Sequence, residues 1–257
     1  MTRSNDSAYG GGRIALVDLA RGVALIAMTA FHFTWDLEMF GIAPRDFMAS
    51  TGMIVSARLI AGSFLFLVGF SLFLAHGRAV AEGGSIRWRP FFKRLAQILA
   101  AAALITIATW YATPQAFIFF GILHAIALGS MLALAFLYLP WWLTAVAGLA
   151  VLTLRDTLRT EVLDAPIWWW SGLSRITPLS NDYVPVFPFF GLILLGVAAG
   201  GFAWRHGLLA SLARPRLDNA PARLLRFIGR HSLIYYLAHQ PVMLAILYSV
   251  LWVTGYI

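Results

Sequence analysis

Seven apolar runs divide the chain, at residues 14–37, 57–75, 95–112, 117–139, 141–154, 183–204 and 232–253. A bilayer core of about 30 Å takes about 20 residues of helix, within a range of about 17–25. Five runs meet that length directly. The run 14–37 meets it with Asp18 and Arg21 at its mouth. The run 141–154 is short and requires tilt or local thinning. The pattern predicts an all-α, polytopic membrane helix bundle of about seven transmembrane helices.

Lys and Arg positions then orient the bundle. If the runs alternate sides, 14 basic residues fall on one side and 5 on the other, while acidic residues split 4 to 7. The basic side is cytoplasmic by the positive-inside rule, so the N-terminus is expected inside. No cleavable signal peptide is evident, because the first run carries Asp18 and Arg21. Residues 1–12 are polar and Gly-rich and are expected to form a flexible cytoplasmic N-terminus. Residues 13–257 are expected to form a single transmembrane domain.

Composition agrees with this pattern. Apolar residues make up 60 % and charged residues 12 %, against about 45–50 % and about 25 % in soluble domains. A water-facing surface cannot be built from so few charges. Cysteine is absent, so no thiol nucleophile or thiolate metal site is available. The net charge of +8 sorts to one side of a membrane, which argues against nucleic acid as its partner. Arginine outnumbers lysine by 18 to the single Lys93, a bias that suggests a GC-rich bacterial genome and hence a multi-pass protein of a bacterial inner membrane.

Ionisable groups inside a span are costly and mark functional candidates. The first helix is the richest. Arg21 and His32 lie eleven positions apart, so they point within about 20° of each other, about 16 Å apart along the axis. Asp18 sits one turn before Arg21, and Asp36 one turn beyond His32. An acid, a guanidinium, an imidazole and a second acid thus share one face. Asp36 is placed to orient the His32 ring and raise its basicity. For Asp18 and Arg21 the plain reading is an interior ion pair.

Two further histidines fall in spans: His124, a few residues into the fourth, and His239, in the last beside Pro241. Each alone reads as a hydrogen-bonded interior histidine; with His32 they suggest a shared cavity. His76 and His206 fall in basic inner loops and are expected to be solvated. Trp168, Trp169 and Trp170, in the long outer connection 155–182, read as an interfacial belt, with a sugar-stacking platform as the alternative. The basic inner loops 75–94 and 205–230 are suited to anionic lipid or to an anionic cytosolic ligand. No two histidines share the i, i+4 spacing of a helical metal pair, so no metal is predicted, with a mixed His32–Asp36 zinc pair at i, i+4 as the alternative. No phosphate loop, dinucleotide fingerprint or nucleophile elbow is present.

The stretch Asp18-Leu-Ala-Arg21-Gly22-Val-Ala-Leu-Ile, with His32 beyond it, resembles the opening of multispanning membrane acyltransferases. Two groups share that style, the acyltransferase-3 family and the family of heparan-alpha-glucosaminide N-acetyltransferase. The second is favoured by Phe31-His32-Phe33-Thr34-Trp35-Asp36-Leu37 followed by Phe40-Gly41, and by Phe120-Gly-Ile-Leu-His124. It is favoured also by Asp182-Tyr183 through Pro185 and Pro188 to Gly191, and by the run from Gly229 to Pro241. The resemblance covers about residues 13–241 and points to small bacterial members.

It implies transfer of an acyl group, usually acetyl, from cytosolic acetyl-CoA to a sugar amine or hydroxyl on the outer side. The partners implied are acyl-CoA, an extracytoplasmic glycan or glycolipid, and membrane lipid, with homodimerisation left open. One departure is clear. The lysosomal relative carries a histidine implicated in acetyl transfer in a long loop after its first helix, whereas 38–51 here contains none. His32, in the helix itself, is expected to serve instead. Arg21 and Arg230, with the loop residues Arg89, Lys93 and Arg94, are candidates to hold the CoA phosphates, with Asp18 beside Arg21. His32, oriented by Asp36, is expected as general base, with a nucleophilic role as the alternative. His124, His239 or the Asn181-Asp182-Tyr183 segment are candidates to bind the acceptor or polarise the carbonyl. Tyr235 and Tyr236 read as interfacial or packing residues, with oxyanion donation as the alternative. The rival function is a proton-coupled small-molecule transporter; a non-catalytic scaffold explains the topology but not the line of charges.

Overall fold

Each apolar run carries a helix in the computed structural model, which describes residues 13–215 and 218–256. Residues 1–12 lie outside the described residues. In chain order the helices are α1 (Ala15–Met39), α2 (Thr51–Leu72), α3 (Arg78–Ala81), α4 (Trp88–Ala112), α5 (Ile122–Phe136) and α6 (Trp141–Thr153). They continue with α7 (Arg155–Leu158), α8 (Val186–Arg205), α9 (Leu208–Ala213), α10 (Ala220–Arg230) and α11 (Ser232–Val253). A π-helical turn, Phe73–Gly77, joins α2 to α3. No strand occurs among the described residues.

Among the described residues, five helical stretches are long and apolar enough to cross a membrane: Ala15–Met39, Thr51–Ala81, Trp88–Ala112, Val186–Arg205 and Ser232–Val253. The two others, α5 and α6, are shorter apolar helices of 15 and 13 residues. The fourth run is expected over 117–139 but is helical only from Ile122. Its leading backbone groups are engaged elsewhere. The Ile118 amide donates to Thr109 Oγ1 at 3.0 Å, and the Ile118 carbonyl accepts from Thr106 Oγ1 at 2.7 Å. The Phe120 carbonyl accepts from the Val184 amide at 3.2 Å. With these groups satisfied outside a helix, the backbone has no need of the helical ladder there.

The third run begins earlier than its apolar stretch. Arg89, Lys93 and Arg94 lie on the first two turns of α4 rather than in a loop. His76, expected to be solvated, is 5 % exposed within the π-helical turn and packs its ring 5.8 Å from that of Phe91. Helix periodicity carried it inward, where the surrounding charges had suggested a loop. His206 is exposed, against Phe202.

The chain divides into two compact units. One is the continuous segment Gly62–Leu212. Its centre is α8, packed against α6, α5 and the end of α2, with Leu65, Ile193, Leu194 and Thr144 almost wholly buried. Gly148 and Gly191 let α6 and α8 approach backbone to backbone: a Cβ on Gly191 would lie 2.5 Å from the Gly148 carbonyl oxygen. Such small-residue contacts are how helices pack where lipid gives no hydrophobic drive.

The other unit joins Arg13–Ala61 to the C-terminal part from Ala213. Here α1 packs against α10 and α11, burying Ala24, Leu25 and Met28. Gly22 faces the Leu225 carbonyl, and Gly229 faces the Asp18 carbonyl, each too close for any Cβ. Along α1 the same unit therefore carries a charged end near Asp18 and a polar end near Asp36.

Candidate functional site

At its first end, α1 places Asp18 in the interior at 1 % exposure. An isolated carboxylate would not be tolerated there. Arg13 Nε lies 2.7 Å from Asp18 Oδ2, Arg230 Nε 3.4 Å from the same oxygen, and Arg21 Nη1 3.7 Å from Oδ1. Three guanidiniums thus share one carboxylate, leaving the cluster with surplus positive charge. Arg21 and Arg230 are brought together as the sequence suggests, and Arg13 joins them. Arg89, Lys93 and Arg94 belong to the other unit, exposed on α4.

At the second end, α1 and α11 bring His32 and His239 together with ring centroids 5.2 Å apart. Asp36, at 1 % exposure, does not bond His32 despite the i, i+4 spacing. Its Oδ1 instead accepts a hydrogen bond from Gln240 Nε2 at 2.6 Å. A remote amide has taken the carboxylate that local helix geometry offered to the imidazole. On α11, His239 Nδ1 lies 2.6 Å from the Tyr236 carbonyl oxygen. A carbonyl can only accept, so Nδ1 carries the hydrogen and Nε2 keeps its lone pair.

Four buried atoms here have no hydrogen-bond partner: His32 Nδ1, Asp36 Oδ2, His239 Nε2 and Gln240 Oε1. Buried polar groups are nearly always paired, so an unmet group calls for explanation. Here four such groups gather on two adjoining helices. Nearby, Tyr235 Oη lies 2.9 Å from Thr29 Oγ1, whose own hydrogen goes to the Leu25 carbonyl. Tyr235 is therefore the donor to Thr29, and its hydrogen is engaged there.

His124 stands in the other unit and is differently used. It lies in the first turn of α5, and its Nδ1 accepts from the Gly121 amide at 3.3 Å. Its Nε2 reaches Thr106 Oγ1 at 3.4 Å, while that hydroxyl donates onward to the Ile118 carbonyl. Both ring nitrogens are occupied. Asp182 Oδ2 accepts from the Ile122 amide at 2.9 Å and caps the same helix from a distant loop. Asn181 Nδ2 donates to Thr113 Oγ1 at 2.8 Å, and Tyr183 Oη to the Trp169 carbonyl at 2.6 Å. The Asn181-Asp182-Tyr183 segment thus ties the connection 155–182 to α4 and α5.

In that connection Asp164 accepts at Oδ1 from Ser174 Oγ and the Arg175 amide, each at 2.7 Å. The Ser174 hydroxyl and the Arg175 and Ile176 amides hold its carboxyl below the usual carboxylate range. Trp169 donates its indole hydrogen to the Asp164 carbonyl, while Trp168 stays 43 % exposed. Among the described residues, no group of three or more His, Cys, Asp or Glu side chains is placed to hold a metal ion.

Sequence reasoning passed over Gln240 and Arg13. Gln240 sits mid-helix in the last apolar run, so the test applied to ionisable residues would have found it had uncharged amides been included. Arg13 was visible only as one more charge at the inner mouth.

Residues 13–241 match the family model described as heparan-alpha-glucosaminide N-acetyltransferase, catalytic. No curated protein and no solved structure matches the chain.

Proposed function

The chain belongs to the heparan-alpha-glucosaminide N-acetyltransferase catalytic-domain family, and on that footing we propose that it carries acetyl from cytosolic acetyl-CoA to an amine or hydroxyl of a glycan or glycolipid across the membrane. The observation that carries this reading is the set of four unpartnered buried atoms on α1 and α11. It lies on the same helix as the arginine cluster at Asp18, so one element links a cationic end to a base-lined interior. In this reading the seven apolar helices form one transmembrane domain of a bacterial inner membrane, with the N-terminus inside and the basic ends toward the cytosol.

Arg13, Arg21 and Arg230 meet the anionic phosphates of the donor, with Asp18 fixing their positions. Arg89, Lys93 and Arg94 add positive charge on α4. The acceptor enters at His32 and His239. Its attacking atom forms a bond to the thioester carbonyl carbon while its hydrogen passes to an imidazole, His239 Nε2 or the unpartnered His32 Nδ1. The carbon–sulfur bond then breaks, and the leaving thiolate takes that proton back from the imidazolium. The products are the acetylated acceptor and free CoA thiol. His124, with both nitrogens engaged, keeps the start of α5 in place.

The test is transfer from labelled acetyl-CoA by purified protein in lipid nanodiscs, comparing wild type with His32→Ala and His239→Ala. Loss of about a hundred-fold or more in at least one variant is expected for removal of a general base. Full turnover in both would remove this site from the chemistry. Proton uptake coupled to solute movement, with no acetyl-CoA consumed, would replace the reading with transport.

A further inference from the structure

The four unpartnered atoms differ in what they can offer. Asp36 Oδ2 belongs to a carboxylate and can only accept while ionised. Gln240 has its amide nitrogen turned to Asp36 Oδ1 at 2.6 Å, so its remaining atom, Oε1, can only accept. His239 has its hydrogen on Nδ1, toward the Tyr236 carbonyl, so Nε2 can only accept. Only His32 Nδ1 is free to be either donor or acceptor. Three of the four unmet atoms therefore require hydrogens from outside.

That count constrains what the site receives. One water supplies two hydrogens and leaves at least one atom unmet. A lone hydroxyl supplies one. A primary amine with a hydroxyl beside it supplies three from a single rigid framework, whereas a secondary amine beside a hydroxyl, or a pair of hydroxyls, supplies two. Leaving a buried acceptor unsatisfied costs about 1–3 kcal/mol, and sites built around such groups reject analogues that lack the hydrogen by large factors.

Resting on the acetyltransferase reading above, we propose that Gln240 and Asp36 select the acyl acceptor, requiring three donatable hydrogens at and beside the attacking atom, one for each unmet acceptor. Asp36 has two duties. Its Oδ1 fixes the Gln240 amide so that Oε1 faces inward as an acceptor, which makes Asp36 a positioning residue toward Gln240. Its Oδ2 adds an acceptor of its own. The role that local spacing suggests for Asp36, orienting His32, is replaced by one exercised across α11.

Asp36→Asn separates these duties. The asparagine oxygen still accepts from Gln240, but its NH2 stands where Oδ2 did and turns one acceptor into a donor. Gln240→Met removes both the clamp and Oε1 at similar length. The probes are octyl glucosaminide, its N-methyl derivative and octyl 2-deoxyglucoside. Each is assayed for equilibrium binding to the full chain in nanodiscs and for acetyl transfer. Wild type is expected to bind the primary amine at least ten-fold tighter than the other two. Asp36→Asn is expected to raise the acceptor KM at least ten-fold while the acetyl-CoA KM stays within two-fold. Gln240→Met should do the same, and Gln240→Asn should recover little because its amide falls short. A folding defect would show as loss of acetyl-CoA binding as well, so donor binding is measured on every variant.

If the primary amine binds preferentially but no acetyl is transferred, the hydrogen-count inference stands and the acetyltransferase reading falls. If transfer occurs and N-methylation or deoxygenation changes neither binding nor KM, the inference is overturned while the reading stands. Equal acceptor and donor KM changes in Asp36→Asn, or no binding of any probe, also overturn it.

Discussion

His124 and the pair His32–His239 are the same side chain put to opposite use. Around His124 every hydrogen is accounted for: Gly121 donates to one nitrogen, the other reaches the Thr106 hydroxyl, and that hydroxyl donates to the Ile118 carbonyl. Around His32 and His239 the opposite holds, with four polar atoms buried and unmet. A satisfied imidazole stabilises the loop that leads into a helix. An unsatisfied one holds free-energy cost that a ligand can relieve. Burial alone does not separate them; the fate of each lone pair does.

That contrast breaks if the two regions respond alike to the same truncation. The largest effect is expected at His239→Ala and His32→Ala, where transfer should fall about a hundred-fold or more. Thermal stability in detergent should change little there, or rise, because an unmet buried group is removed. His124→Ala is expected to do the reverse. Losing its bonds should cost about 1–2 kcal/mol of stability, with turnover per folded molecule within a few-fold of wild type. Chemical unfolding alongside the transfer assay reads both; a turnover collapse in His124→Ala with normal unfolding would end the distinction.

A smaller effect sharpens the structural side. Asp182→Ala removes the carboxylate that caps α5 from afar, which should cost about 1 kcal/mol. Because Asp182 and His124 serve the same helix start, the double variant should be non-additive. Simple additivity, measured by the same unfolding assay, would show that the two act separately.

The smallest effect concerns Asp164 in the connection 155–182. Its folded carboxyl sits below the usual range, chiefly through the Ser174 hydroxyl. The stabilisation it gives is therefore complete above the unfolded carboxylate pKa of about 3.9 and is lost as pH falls through the lower folded value. Protease sensitivity of 155–182 should rise in that acidic window in wild type. Asp164→Asn should be more sensitive already at neutral pH and should flatten the dependence.

The helices themselves were largely legible. The last run coincides with α11, and the first differs from α1 by one or two residues at its ends. The shortfall at 117–121 was hidden because apolar side chains say nothing of where backbone hydrogen bonds go. The line of charges on α1 was read from 3.6-residue geometry, and Asp18 with Arg21 came together as that suggests, while Arg230 of α10 joined them from outside that pattern. The Asp36–His32 pairing did not form, because spacing within one helix cannot foresee a competing amide from another. Gln240 carried no charge to announce it.

The backbone contacts at Gly22 and Gly229 bear on motion. Each glycine lies where the opposing helix puts a carbonyl. If α10 slid along α1 by a single residue, a side chain would enter a space that admits only hydrogen. The two glycines act as a double pin against translation and leave no neighbouring register to ratchet into. Any rearrangement that opens a path along α1 must therefore carry α1 and α10 together as one piece, and the arginines around Asp18 travel with it without letting go.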